Sequence, residues 1–174
     1  RGGEPGRPVT FRAAEPGTVT ISGEADPAVV AALEWRDEGD GVWSTRPPWP
    51  VHHVRIGDRN ALYARWGGAG QVRRFAAREH AWDVFAWAGE EGRLYLHVRG
   101  GRLPGDVELA LNGRIPPPRE WGNIRSANAW LEADHLVLEG LRFRGGVGSG
   151  LLLWSARSVV VRDWDWTKGG DLIV

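Results

Sequence analysis

The residues best suited to chemistry lie near the end of the 174-residue sequence, where acidic and basic side chains follow one another closely. Asp165, Lys168 and Asp171 are the candidate catalytic residues, because paired carboxylates with a nearby proton donor or acceptor suit general acid-base chemistry. None of them lies in a motif specific enough to name a reaction. A structural interpretation is also open: Asp165 suits a cross-strand charge pair, and Lys168 and Asp171 flank a Gly-Gly turn typical of solvated corners.

Tryptophan and arginine supply the candidate substrate-binding residues. The chain has 11 tryptophans, and an indole stacks on the apolar face of a sugar ring as readily as it fills a core. Trp43, Trp49 and Trp121 lie in proline-rich loops, where the core and ligand interpretations carry equal weight. Arg142 and Arg144 complete the set, as basic groups at alternate positions of one predicted strand.

Composition excludes several other classes of function. The 22 basic and 22 acidic residues cancel, so no global field draws the protein to nucleic acid or to an anionic membrane, and neither is an expected partner. Cysteine is absent, which excludes disulfides and thiolate chemistry. The five histidines show no zinc spacing, and the glycine-rich stretches lack a phosphate-binding motif, so no metal site is expected.

A repeat organises the last third of the chain. The segment "HLVLEGLRFRG" from His135 aligns with "SVVVRDWDWTK" from Ser158 at an offset of 23 residues, and an apolar stretch precedes each copy. This spacing predicts parallel strands stacked about 4.8 Å apart, with turns at the corners. In that arrangement Trp164 and Trp166 point inward, Asp165 lies beside Arg142, and the charge pairs explain these polar residues without catalysis.

On these segments, together with "RPVTFRAAEPGTVTISG" at 7–23, the sequence resembles right-handed parallel β-helix proteins of the pectate-lyase-like superfamily. The resemblance implies an all-β fold of right-handed parallel β-helix coils. It also implies a polysaccharide lying along one long face. Lyases of that kind use an arginine or lysine base with calcium or a basic side chain, whereas hydrolases use two carboxylates. Calcium is therefore the one cofactor implied, and only for a lyase.

The repeat is interrupted in the middle of the chain, where hairpin patterns replace it. Strands over 82–87 and 93–98, joined by "AGEEG", predict a small inserted antiparallel β subdomain. Asp26 and Pro27 predict the start of a short helix. The expected organisation is a first coil and helix over 1–34, the insertion over 35–112 and further coils over 113–174.

The function that this resemblance implies is that of a secreted, extracellular or periplasmic protein acting on a polysaccharide or oligosaccharide. It would be a glycoside hydrolase or a polysaccharide lyase, with the active groove completed beyond Val174. The alternative is a non-catalytic scaffold for carbohydrate binding or adhesion. Whether the protein is an enzyme stays open at this point, because a fold does not determine a reaction.

Overall fold

The computed structural model describes residues 2–64, 67–78, 82–113, 129–145, 149–153, 155–167 and 171–173. The described elements are, in chain order, β1 (Val9–Arg12), β2 (Val19–Ser22), α1 (Pro27–Ala31), β3 (Arg36–Asp37), β4 (Val42–Thr45), β5 (Val54–Ile56), β6 (Arg59–Asn60), β7 (Leu62–Tyr63), α2 (Ala69–Arg78), β8 (Val84–Ala88), β9 (Arg93–His97), a 3-10 turn (Pro104–Asp106), β10 (Leu109–Leu111), β11 (Ala129–Leu131), β12 (Leu136–Glu139), β13 (Leu141–Arg144), β14 (Ser149–Leu153), β15 (Val159–Arg162), β16 (Asp165–Thr167) and β17 (Asp171–Ile173). Strands predominate, which confirms the all-β class at a coarse level.

The chain forms two compact units. Unit 1 combines Arg1–Gly23 with Pro117–Val174, and unit 2 is Glu24–Pro116. The finer division into coils and an insertion at 35–112 stays a prediction.

Unit 1 contains three parallel sheets of three strands each, in the orders β1-β12-β15, β16-β13-β2 and β11-β14-β17. Leu136 lies opposite Val159, and Phe143 lies opposite Trp166. The pairing at a 23-residue offset is therefore confirmed for these strands. Alternation explains the register, because a slip of one residue would turn every buried side chain of β12 and β13 to the outer face.

The corners of unit 1 repeat as well. His135 and Ser158, which are 23 residues apart, have φ of 53° and 54°. Gly140 and Asp163, at the same spacing, have φ of 67° and 52° and follow the ends of β12 and β15. A left-handed residue turns the chain sharply between two strands, which glycine accepts at no steric cost and aspartate tolerates.

The core of unit 1 is built from the alternate positions of its strands. Leu138, Leu141, Phe143 and Leu151 are buried together with Ala13. The interior position predicted for Trp164 is wrong, because its side chain is 40% exposed. It precedes β16, whose pairing begins at Asp165, so the strand alternation does not direct it inward.

The predicted membership of the right-handed parallel β-helix proteins of the pectate-lyase-like superfamily is wrong. Across the described residues the sheets are a mixture of parallel and antiparallel pairings of short strands, and none of these sheets closes. A repeated spacing of apolar residues selects which strands pair and in which register. It does not select the hand of the connections or a closed coil. The repeat spacing alone therefore does not establish the β-helix family.

Unit 2 is built on a five-stranded sheet in the order β3-β4-β9-β8-β7 and a three-stranded sheet in the order β10-β5-β6. The predicted hairpin is confirmed, since β8 and β9 pair antiparallel with Ala88 opposite Arg93. The predicted start of α1 is confirmed as well, with the Asp26 carboxylate accepting from the Ala28 N–H at 2.8 Å.

Helix α2 is absent from the sequence expectations, which placed only hairpins in this region. Its Val72 and Ala76 are buried against Val42, Val84 and Tyr95. The apolar positions 72, 75 and 76 have helical spacing. The glycines that precede them favour a loop by local propensity, and packing against the sheet overrides that preference.

Candidate functional site

Two arginines share the outer face of sheet β16-β13-β2 in unit 1. Leu141 and Phe143 are buried. Arg142 and Arg144, the alternate residues of β13, are half-buried on the opposite face. Alternation along a strand requires this arrangement, because successive side chains point to opposite faces. The sequence expectation that both arginines lie on one face is therefore reproduced by the backbone.

Polar residue types flank both arginines in the sheet register. The position of Arg142 pairs with Thr20 on one side and Asp165 on the other, and that of Arg144 pairs with Ser22 and Thr167. Two rows of polar residue types thus cross three parallel strands on this sheet. The expected juxtaposition of Asp165 with Arg142 is confirmed at the level of strand register.

Another polar row crosses the neighbouring sheet β1-β12-β15. The Glu139 carboxylate accepts hydrogen bonds from Arg12 Nε at 2.8 Å and from Arg162 Nη2 at 2.9 Å. The hydrogen bond from Arg162, with that from Arg12, holds the pKa of Glu139 below its usual value. This carboxylate is therefore ionised and engaged near neutral pH, which suits a structural anion and excludes it as a general acid.

The sequence expectations do not include the contribution of Arg12 to this row. The signal was present: "VTFR" at 9–12 and "LVLE" at 136–139 have matching alternation, and these strands pair with Val9 opposite Leu136. Aligning the first strand with the later repeats would have placed Arg12 opposite Glu139.

The catalytic candidates are only partly described. Asp165 begins β16, and Asp171 begins β17, where its position pairs with Ser149 of β14. The backbone therefore assigns the two aspartates to different sheets of unit 1. Lys168 lies outside the described residues, so a grouping of all three candidates stays a prediction.

The tryptophan candidates belong to unit 2 where they are described. Trp49 packs against the main core cluster of that unit, and its indole N–H donates to the Asn112 carbonyl at 2.6 Å. Trp43 lies on β4 and is half-buried, and its buried Nε1 has no hydrogen-bond partner among the described residues. The Trp49 indole is thus held at the core of unit 2, whereas the Trp43 side chain is only half-buried. Trp121 lies outside the described residues.

Asn112 is a site residue that the sequence expectations overlooked. Its side chain is 1% exposed. The Oδ1 atom accepts from the backbone N–H groups of His52 and His53, and Nδ2 donates to the carbonyls of Pro50 and Gly113. One amide thus joins two segments of unit 2 that are distant in the sequence. No local sequence pattern indicates such a contact.

The described residues offer limited support for cofactor chemistry. Among them, no group of three or more His, Cys, Asp or Glu side chains converges on a candidate metal position, so calcium stays a prediction tied to a lyase. Burial lowers the pKa of His53; the negative charge of Glu24 opposes this shift, and the positive charge of Arg55 adds to it. His53 is therefore neutral near pH 7, and its Nε2 is buried without a hydrogen-bond partner in the described part of the chain.

Two further observations bear on classification. No helix in the described parts of the chain combines the length and apolarity needed to cross a bilayer. Comparison with protein-family models, with curated proteins and with solved structures found no match to this chain.

Proposed function

We propose that unit 1 binds a polysaccharide along the outer face of sheet β16-β13-β2. The observation that carries the proposal is the placement of Arg142 and Arg144 on that face, above buried Leu141 and Phe143. The sheet holds the backbone of both arginines over a packed core, so binding does not have to order the backbone at these positions.

The geometry of the strands supports an extended ligand. Arg142 and Arg144 are two residues apart, so their Cα atoms are separated by about 6.6 Å along the strand, and neighbouring strands add polar positions at about 4.8 Å. A guanidinium presents planar, paired donors to carboxylates and hydroxyls. A chain of repeating sugars offers such acceptors at regular intervals, and a secreted protein would meet polysaccharide outside the cell.

A second candidate function is cleavage of the same polysaccharide by hydrolysis or elimination. The observation that favours it is the register of Arg142 with Asp165, which brings a basic and an acidic residue type to adjacent strands. Against it stands the assignment of the two candidate carboxylates, Asp165 and Asp171, to different sheets of unit 1. Binding without catalysis is therefore the better supported function.

The experiment uses the full chain and a panel of acidic and neutral polysaccharides in affinity electrophoresis. The variant Arg142→Ala/Arg144→Ala should lose retardation by the polysaccharide that the unchanged protein binds. Arg157→Ala is the matched control, because Arg157 is exposed between β14 and β15. Equal retardation of both variants would refute the proposal, provided that circular dichroism shows the double variant folded.

Catalysis is tested on the same panel. New reducing ends would indicate hydrolysis, and ultraviolet absorbance from new double bonds would indicate elimination. If turnover occurs and Asp165→Asn abolishes it while binding persists, the second candidate replaces the first.

A further inference from the structure

Unit 2 contains a polar cavity. Its volume is about 550 Å³, within the range of about 300 to 1,000 Å³ typical of small-molecule sites. The segment that follows α1 forms one wall, and strands β4 and β9 supply the other. Its charged and aromatic lining consists of Glu34, Trp35, Arg36, Arg46 and Arg93.

One wall of the cavity is held by an internal network. The Ser44 hydroxyl donates to Glu38 at 2.8 Å and accepts from Arg93 Nη1 at 2.7 Å. Glu38 also lies 3.6 Å from Arg36 Nε and 3.6 Å from Arg93 Nη1. Ser44 is fully buried, so this wall is a fixed surface, and two of the three arginines already face a carboxylate.

The other lining groups have no such partners. Within the described part of the chain, Arg46 and Glu34 make no hydrogen bond or ion pair, and neither does the indole N–H of Trp35. Trp35 is half-buried and packs against the main core cluster of unit 2, which fixes the ring while leaving part of it at the cavity. The cavity therefore presents one unpaired cation, one unpaired acceptor and one aromatic ring with a donor.

The net charge of the site selects the ligand. Arg36, Arg46 and Arg93 oppose Glu34 and Glu38, which leaves a net charge of one positive. A bound group with one negative charge is favoured over a group that concentrates several, such as a phosphate dianion, because Glu34 repels the additional charge. We infer that this cavity binds an acidic sugar residue, a uronate, with its carboxylate on Arg46, its hydroxyls on Glu34 and its apolar face on Trp35.

Each contact in this assignment has a chemical reason. A guanidinium pairs with a carboxylate through two parallel hydrogen bonds. A carboxylate accepts from hydroxyl groups, which a sugar supplies and a simple anion does not. An indole combines a flat apolar face with a single donor, matching a ring with one apolar side and a polar edge. The site is separate from the arginine face of unit 1, so it goes beyond the function proposed above.

The test is isothermal titration of the full chain with a trimer of galacturonate and with the neutral galactose trimer. The acidic trimer should bind more tightly, and Arg46→Gln should weaken its binding by about tenfold or more, the loss expected for one charge-assisted contact. Glu34→Gln should weaken binding of both trimers. Arg102→Gln is the matched control in the same unit, since Arg102 is exposed and has no described partner.

Three outcomes would overturn the inference. The first is equal affinity for the acidic and neutral trimers, and the second is an Arg46→Gln variant that binds like the Arg102→Gln control. The third is binding of inorganic phosphate with the same dependence on Arg46, which would make the cavity a simple anion site. A preference for the acidic trimer that is lost only in Arg142→Ala/Arg144→Ala would support the unit 1 proposal and refute this one.

Discussion

Replacing Asn112 by alanine removes the side chain that joins two segments of unit 2. In the native structure Oδ1 lies 2.7 Å from the His52 N–H nitrogen and 3.0 Å from that of His53. The Nδ2 atom lies 3.0 Å from the Pro50 carbonyl oxygen and 2.8 Å from that of Gly113. Asn112→Ala therefore leaves two donors and two acceptors of the backbone without partners.

The magnitude follows from these four contacts. A typical internal hydrogen bond contributes about 1 kcal/mol net, and a buried group left unsatisfied costs about 1 to 3 kcal/mol. Water reaches the exposed side of His52, which offsets part of this loss. We therefore expect Asn112→Ala to lower the free energy of unfolding of unit 2 by about 2 to 4 kcal/mol.

Asn112→Asp sharpens the test, because it preserves shape and the two accepted bonds. Its second carboxylate oxygen would face the carbonyl oxygens of Pro50 and Gly113. The two hydrogen bonds that Nδ2 donates are therefore replaced by repulsion between oxygen atoms. Near pH 7 the aspartate variant should be at least as unstable as the alanine variant. Protonation restores one donor, so its deficit relative to the unchanged protein should shrink as pH falls.

The assay is urea denaturation followed by far-ultraviolet circular dichroism and tryptophan fluorescence. Trp49 donates to the Asn112 carbonyl, so it reports on the same region. Asn60→Ala is the control, because Asn60 is exposed on β6 in the same unit. A change of less than about 1 kcal/mol for Asn112→Ala, comparable to a typical surface substitution, would refute the reasoning.

Three further predictions concern local features. Glu139→Gln should lower the urea midpoint near pH 7, because the anion held by Arg12 and Arg162 is lost. Because the pKa of Glu139 is lowered in the folded protein, its carboxylate contributes fully to stability at pH values above the usual pKa near 4.5. This stabilisation is lost as the pH falls below that value. The difference between the two proteins in urea titrations should therefore shrink as the pH is lowered below that value, and a constant difference would contradict the role of the charge. Gly140→Ala should cost about 1 to 2 kcal/mol for its left-handed backbone, plus a clash with Pro16 Cα at 3.1 Å, measured as a fall in thermal midpoint. Asp26→Ala should cost about 1 kcal/mol through loss of the α1 cap, and an unchanged urea midpoint would show that packing alone holds the helix.

The strand pairing of unit 1 illustrates what is readable from a sequence. Alternating apolar residues in two segments 23 residues apart predict parallel partners, and Leu136 does lie opposite Val159. The same reasoning predicts the outward placement of Arg142 and its register with Asp165. These inferences succeed because a strand has a side-chain period of two, so that burial of one face determines the other.

The hairpin of β8 and β9 was readable for a related reason. Both strands alternate, and the glycine-containing loop between them permits a tight reversal. The Asp26 cap was likewise local, since the capping oxygen and its N–H partner are two residues apart. Features of this kind depend on a few neighbouring residues and survive in any tertiary context.

Other features were decided only by the tertiary structure. Helix α2 forms because a sheet face is available to Val72 and Ala76. Asn112 becomes a clamp only when the segment at 50–53 is brought beside it. Trp164 is exposed because strand pairing starts one residue later.

The candidate binding groups divide in the same way. The amino-acid sequence by itself determined the all-β class, the repeat spacing and the shared face of Arg142 and Arg144. It did not determine that Trp35 and Arg46 would line one cavity with Arg93, a residue nearly fifty positions from Arg46. Local periodicity is encoded within a few residues, whereas a cavity requires distant segments to meet, and only the packed chain specifies that meeting.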